Sequence, residues 1–227
     1  GRGAGPVPVL PSKSMTGLHL RVASVVTGLL LVWAPRAALA QDPKPATQTG
    51  LYVEALAGQN VAALPITLIT RDSLITDGPL VRERRAVLAW ADSVIGEALL
   101  VGAAEVNWIL SDELRRIAKR SAGFVPDPDR MGQAALRSHD LKRIPDPLRS
   151  SLRTVMAMAG GRLAFVPASA RFTLDEDGAV QVTLEAALAD ARLGTVVWRT
   201  TAIGSGPDAA EALRAAIASF LPMHDLP

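Results

Sequence analysis

The segment Ala179-Val-Gln-Val-Thr-Leu-Glu-Ala-Ala-Leu-Ala-Asp190 alternates between apolar and polar side chains. A period of two residues predicts a β-strand that buries one of its faces. Short turns that contain Gly178 and Gly194 flank this segment, and a further β-rich segment lies beyond each turn. The C-terminal third of the chain is therefore predicted to form a three-stranded antiparallel meander.

The two turns also predict the register of the meander. Each places glycine third in a three-residue loop, as a type I turn followed by a left-handed residue requires. This spacing pairs Phe172 with Val182, Leu188 with Trp198, and Ala191 with Thr195. The bulky apolar residues then share one face, which a slip of one residue would destroy. The polar residues expected on the opposite face are Arg171, Thr173, Gln181, Thr183, Glu185, Arg199 and Thr201.

A polar sheet face needs no covering helix, so we expect most helices on the Trp198 side. The open polar face is the candidate partner surface, and a merely solvated face is the alternative.

Strands and helices alternate before the meander. The expected fold is a two-layer α/β (α+β) domain over residues 51–222, with a mixed sheet of about five strands and helices mainly on one face. Pro65 cannot donate to a sheet ladder, which favours an edge or a strand start at that point. The expected segments are a strand over Val61–Thr70, a helix over Val81–Val101, a strand over Val106–Leu110, helices that begin near Ser111, Asp127 and Leu148, and a last helix over Ala209–Phe220.

The N-terminal region has the pattern of a secretory signal peptide over residues 15–40. A 13-residue apolar run, Val22–Ala34, precedes Ala38-Leu-Ala40, which fits the small-residue rule for cleavage before Gln41. A membrane span needs about 20 apolar residues, so a retained anchor is the alternative. Residues 1–14 are interpreted as a non-native or over-extended leader, 41–50 as a flexible leader and 223–227 as a tail. The expected location is the periplasm or the exterior, with no transmembrane span after processing.

Charge and cysteine content are consistent with an exported domain that packing alone stabilises. The 227-residue chain has a formal net charge of +2 and no cysteine. Residues 1–40 contain four basic residues and no acid, so the remainder has 20 basic and 22 acidic residues. The basic character belongs to the segment that cleavage removes, and nucleic-acid binding is not expected.

No catalytic, metal-binding or cofactor-binding residues are expected. The chain lacks a Gly-x-Ser-x-Gly motif, and His139 lies in a charged loop without a positioned partner. The acidic run Asp175–Asp177 lacks the ligand spacing of a calcium loop. Gly160-Gly161 follows a helix, the reverse of the order in phosphate-binding loops. One alternative is a secreted enzyme with an unrecognised site; its best support would be paired carboxylates such as Glu105 and Asp112, but nothing in the sequence places these two together.

Two motifs carry a family resemblance, Val61-Ala-Ala-Leu-Pro-Ile66 and Gly194-Thr-Val-Val-Trp198. With the order of segments between Val61 and Leu221, they resemble the α/β domain shared by the curli secretion protein CsgG, the penicillin-binding-protein activator LpoB and the N-terminal domain of TolB. The chain departs from that pattern at Gly160-Gly-Arg162, where the relatives have Gly-x-Asp, and it lacks the lipoprotein cysteine.

The resemblance implies an envelope accessory protein that works by binding and assembly, with no catalytic residues to carry over. Its expected partner is another envelope protein or complex. The alternative is a structural subunit of a larger envelope or membrane complex, and the oligomeric state is left open.

Overall fold

A computed structural model of the chain describes residues 50–221. The predicted signal peptide, the rest of the segment before Gly50 and the tail after Leu221 lie outside the described residues. Within residues 50–221 the fold contains six strands and four α-helices, which confirms the α/β class. In chain order they are β1 Asn60–Ala63, β2 Ile69–Arg71, α1 Arg84–Gly102, β3 Asn107–Ile109, α2 Ser111–Arg120, α3 Leu148–Ala159, β4 Leu163–Leu174, β5 Val180–Asp190, β6 Thr195–Gly206 and α4 Ala209–Ala218.

The strands form one mixed sheet in the order β3-β1-β4-β5-β6, and β2 pairs with β4 beyond β1. Both β1 and β2 run parallel to β4, against its first and second halves respectively. The predicted strand Val61–Thr70 is therefore two strands, and the break contains Pro65. A proline fits between the strands because no ladder N–H is needed there.

The register of the meander agrees with the sequence prediction except at its second turn. Phe172 pairs with Val182, and Leu188 pairs with Trp198. Thr195 pairs with Asp190 instead of Ala191, so the loop has one more residue than expected. Leu188 pairs with Trp198 but Ala189 pairs with Val196, so β6 has one extra residue at this point. This bulge compensates for the longer loop. The buried face is consequently the predicted one.

The first face of the sheet packs against α1 and α4. Phe165, Trp198 and Phe220 form an aromatic cluster there, with ring centroids 5.3–6.5 Å apart. The side chain of Asp208 accepts hydrogen bonds from the amides of Ala210 and Glu211, and so caps α4 as expected for an N-cap aspartate.

The second face carries a separate core, which differs from the expectation that helices lie mainly on one face. Leu114 of α2 and Leu152 of α3 pack there against Ala164 and Val166 of β4. The physical reason is that the sheet is parallel at its β1 end, where both faces are apolar and both need cover. In the part of the chain that the structure describes, the meander beyond Ser169 has helices on the first face alone, so this part is two-layered.

The chain between α2 and α3 forms short turns in place of the predicted helix at Asp127. Two 3₁₀ turns, Pro128–Arg130 and Gln133–Arg137, occupy this region. Gly132 lies between them at φ 87°, a left-handed conformation that interrupts helical hydrogen bonding. Among residues 50–221, no helix is long and apolar enough to cross a bilayer.

Candidate binding surfaces

The uncovered half of the second sheet face brings together most of the predicted partner-surface residues. Cross-strand pairing sets them in rows, with Arg171 beside Thr183 and Thr173 beside Gln181. Glu185 pairs with Thr201 in the next row. Their side chains are exposed or partly exposed, whereas their chain neighbours Phe172, Val182 and Leu184 are buried. We name the part of the second sheet face that lies beyond Ser169, on the side away from β1, the open sheet face. The other residues that it includes are Ser169, Ile203 and Ser205, which the sequence reasoning did not select.

Glu185 is the centre of a small polar network on the open sheet face. The Ser169 hydroxyl donates a 2.7 Å hydrogen bond to one carboxylate oxygen of Glu185. The other oxygen lies 3.6 Å from His139 Nε2, and the imidazole is 60 % exposed. A serine nucleophile needs a base that accepts its proton. The carboxylate here stands between the serine and the histidine, so this order does not form the serine–histidine contact of a catalytic triad.

Arg199 lies on the predicted face, but at the boundary between the covered and open halves of that face and not within the open half. Its guanidinium donates to the backbone carbonyls of Leu136 and Leu141. Burial lowers the pKa of the Arg199 guanidinium, and the nearby Glu185 carboxylate opposes that change. Arg199 therefore ties the segment 136–141 to the sheet and is only partly available to a partner.

A second polar site lies around Asp92, in the middle of α1. Its carboxylate accepts a 2.8 Å hydrogen bond from the amide of Ile66, the residue that follows Pro65 in the break between β1 and β2. Because that amide has no strand partner, a buried acceptor is required there. Asp92 is thus the acceptor that completes the hydrogen bonding at the strand break.

The charge of Asp92 is balanced by Arg115 of α2. Arg115 lies 2.5 Å from Asp92, 2.7 Å from Asp129 and 2.9 Å from Asp112, so one guanidinium contacts three carboxylates. The cluster joins α1, α2 and the turn at residues 128–130. It borders a cleft of about 1000 Å³, whose rim also carries Arg85, Lys119 and Arg130.

Burial decides the protonation behaviour of Asp92. Desolvation raises its pKa from 3.8 to about 6, against the opposing effects of the Ile66 amide and the Arg115 guanidinium. The Asp129 hydrogen bond raises the pKa of Arg115, which therefore stays charged. The ionisation of the Asp92 carboxylate is therefore sensitive to pH. The main physical role of the cluster is to hold α1 and α2 to the strand break.

Asp92 was missed at the sequence level although a signal was present. It stands among Leu88, Ala91 and Ile95 on the apolar stripe of α1, where a carboxylate is unexpected without a buried partner. Glu105 precedes β3 and Asp112 follows it, so the whole of this strand separates the two residues in the chain. Within residues 50–221, no group of three His, Cys, Asp or Glu side chains is placed to hold a metal ion.

Several solved structures have a similar arrangement of elements at low sequence identity. A PelC dodecamer from Paraburkholderia phytofirmans is 14 % identical over 77 % of this chain and 91 % of that chain, with a TM-score of 0.38. The LpoB C-terminal domain from Salmonella enterica is 10 % identical over 67 % of this chain and 84 % of its own, with a TM-score of 0.36. The lipoprotein GNA1162 from Neisseria meningitidis is 15 % identical over 65 % and 80 %, with a TM-score of 0.33.

LpoB is one of the proteins that the sequence resemblance names. No family model matches the chain. No curated protein matches it either. All three TM-scores are below 0.5, so the fold assignment rests on the strand order and register described above.

Proposed function

We propose that this chain is an exported, non-enzymatic protein of the bacterial cell envelope that binds another envelope protein or complex through its open sheet face. The observation that carries the proposal is the uncovered second face of the meander. Among residues 50–221, helices pack against the first face of its three strands, and no helix covers the second face beyond Ser169. The signal-peptide pattern supports export, and the family resemblance supports the envelope.

The chemistry of the open sheet face fits a protein partner. It offers hydroxyl and amide groups from Thr173, Gln181 and Thr183, one exposed cation at Arg171, and a 46 % exposed Ile203. Protein interfaces combine an apolar centre with a polar surround that forms hydrogen bonds. A rigid three-stranded platform also loses little conformational entropy on binding.

The test is affinity capture from the envelope fraction with the exported chain as bait. We expect a defined partner to be retained by the wild-type chain and lost from the double variant Arg171→Glu with Gln181→Glu, which adds negative charge to the open sheet face. The matched control is Arg82→Glu with Gln59→Glu, which makes the same charge change at exposed positions elsewhere. Equal capture by both double variants would contradict the proposal.

Gel filtration of the purified chain distinguishes the structural-subunit alternative. We expect an accessory protein to remain folded and not to aggregate in the absence of detergent or a partner. A chain that aggregates unless it is purified with a larger complex would favour the subunit interpretation. Turnover on purified protein that Ser169→Ala or His139→Ala abolishes, with the circular dichroism spectrum unchanged, would favour the secreted-enzyme interpretation.

A further inference from the structure

A cluster of basic residues lies at the end of the sheet where β5 turns into β6. The cations come from the loop before α3, from α3 itself and from the turn after β5: Lys142, Arg143, Arg149, Arg153 and Arg192. Four of these residues are exposed, and Arg149 is partly exposed. The segments 140–159 and 191–194 contain two acids, Asp140 and Asp146. The cluster, which we name the basic surface, therefore has an excess of positive charge.

Backbone and side-chain contacts bring the three segments together. The Ile144 amide donates a 2.9 Å hydrogen bond to the carbonyl of Gly194, which joins the loop before α3 to the turn after β5. The same turn lies against α3, because a Cβ on Gly194 would overlap the side chain of Arg149. The basic surface is therefore one continuous feature of the fold.

The cations of the basic surface lack acidic partners. In the described part of the chain, none of the five forms an ion pair. Asp190, which precedes the turn, is buried, and its carboxylate contacts Arg162 and accepts hydrogen bonds from the amides of Arg192 and Leu193. Neighbouring cations repel one another, and an anionic partner would remove that repulsion.

Three large apolar side chains lie beside these cations. Phe124, on the turn after α2, is 86 % exposed, Leu193 is 62 % exposed, and Met158, near the end of α3, is 53 % exposed. Phe124 and Met158 line one cleft of about 610 Å³ together with Arg149 and Arg153. We include the three apolar residues in the basic surface. Exposed apolar side chains next to cations are typical of protein surfaces that enter the interfacial region of a membrane.

We propose that the basic surface binds an anionic phospholipid bilayer, with its three apolar side chains in the interfacial region and its cations against the lipid phosphates. Arginine and lysine form charge-assisted hydrogen bonds with phosphate oxygens, and each cation near an anionic membrane adds to the attraction. A lipid surface fits better than a nucleic acid, because single strands stack their bases on several aromatic side chains and the basic surface has Phe124 alone.

This proposal goes beyond the proposed function and is independent of it. The open sheet face includes Gln181 and Glu185, in the first half of β5, whereas the basic surface lies beyond the end of that strand. Lipid binding and capture of an envelope partner are measured separately, so either proposal can fail alone.

The test is sedimentation of the purified exported chain with lipid vesicles. One set contains equal parts of phosphatidylglycerol and phosphatidylcholine, and the other contains phosphatidylcholine alone. We expect binding to the anionic vesicles that weakens as the salt concentration rises, because salt screens exposed charges. Failure to bind the anionic vesicles would overturn the proposal, as would equal binding to both sets.

Charge reversal tests the part of the cations. Arg153→Glu is expected to raise the dissociation constant for the anionic vesicles by about tenfold, since each cation near an anionic membrane contributes separately to binding. Arg82→Glu makes the same charge change at an exposed position outside the basic surface and should have a much smaller effect. Equal effects of the two substitutions would contradict the assignment of the surface.

A second pair of variants distinguishes a membrane from a soluble polyanion. Phe124→Ser is expected to raise the dissociation constant by about fivefold, because the aromatic ring no longer enters the interfacial region. Tyr52→Ser, at a 76 % exposed position outside the basic surface, should bind as the wild type does. Binding that Phe124→Ser leaves unchanged, together with equally tight binding of single-stranded DNA, would identify a surface for soluble polyanions and overturn the membrane proposal.

Discussion

At the scale of one residue, Arg199 is a polar residue of the sheet whose side chain stabilises the fold. Its two hydrogen bonds hold the segment 136–141 against the strands. Bonds from a charged donor contribute about 1.5–3 kcal/mol each when a buried acceptor would otherwise be left unpaired. We expect Arg199→Ala to lower the free energy of unfolding by about 2 kcal/mol, measured by urea denaturation. Arg171→Ala, at an exposed position, should change it by less than about 0.5 kcal/mol, and equal effects would contradict this assignment.

Asp92 gives a prediction about pH. Its pKa is about 6 in the folded chain and about 3.8 as a free carboxyl, so between these values the folded state holds a proton that the unfolded state has lost. The free energy of unfolding should therefore fall as the pH rises from 4 towards 6, by an amount on the order of 3 kcal/mol for this group.

The measurement compares urea denaturation of wild type and Asp92→Asn at pH 5 and pH 7.5. The stability of the wild type relative to the variant is expected to be greater at pH 5, because the variant cannot ionise at this position. Asp112→Asn, which removes a carboxylate that is 80 % exposed and also contacts Arg115, should retain the pH dependence of the wild type. A difference between wild type and Asp92→Asn that does not change with pH would rule out the raised pKa.

Arg199 and Asp92 also show which properties of a side chain the sequence predicts and which it does not. Alternation placed Arg199 on the correct face, because the face depends only on the period of the strand. Its partners come from the segment 136–141, which is distant in the chain, and no local pattern encodes that contact. Asp92 carried a local signal, a carboxylate in an apolar stripe, but its partners Ile66 and Arg115 required the tertiary fold.

At the scale of elements, the packing of α4 on β6 depends on Gly204. A methyl group there would overlap the backbone of the helix, and backbone cannot move aside as a flexible side chain can. Overpacking of this kind costs about 1–3 kcal/mol. We expect Gly204→Ala to lower the free energy of unfolding by about 3 kcal/mol, measured by thermal and urea denaturation.

The adjacent, exposed Ser205 provides the control. Ser205→Ala should change the free energy of unfolding by less than about 0.5 kcal/mol. If Gly204→Ala were as stable as Ser205→Ala, the close approach of α4 to β6 would be wrong.

The meander was predictable because its information is local. The alternation and the glycine turns fixed the pairing of Phe172 with Val182, and only the length of the second turn was misjudged. Pro65 indicated an edge or a strand start, but the division of Val61–Thr70 into two strands and the helices on the second face were not predicted. Both depend on β1 lying between β3 and β4, which follows from long-range parallel pairing.

At the scale of the whole molecule, the N-terminal segment gives a prediction about processing. Because Ala38-Leu-Ala40 satisfies the rule for signal peptidase, the exported chain should begin at Gln41, with or without cyclisation of the glutamine. Intact-mass measurement of periplasmic or secreted material checks this. Ala40→Leu, which removes the small residue at the cleavage position, should accumulate a longer precursor. Wild-type material that retains residues 15–40 would favour the membrane-anchor alternative.

The position of β1 also determines the order in which the chain can fold. Val61 pairs with Leu163 on one side and with Trp108 on the other, so β1, an inner strand, is synthesised long before its principal neighbour, β4. The meander needs only contacts between consecutive segments, and local contacts form faster than distant ones. The nucleus of folding is therefore expected in the last third of the chain. The first half of the chain is synthesised earlier, but β1 can be buried between β3 and β4 only after this nucleus has formed.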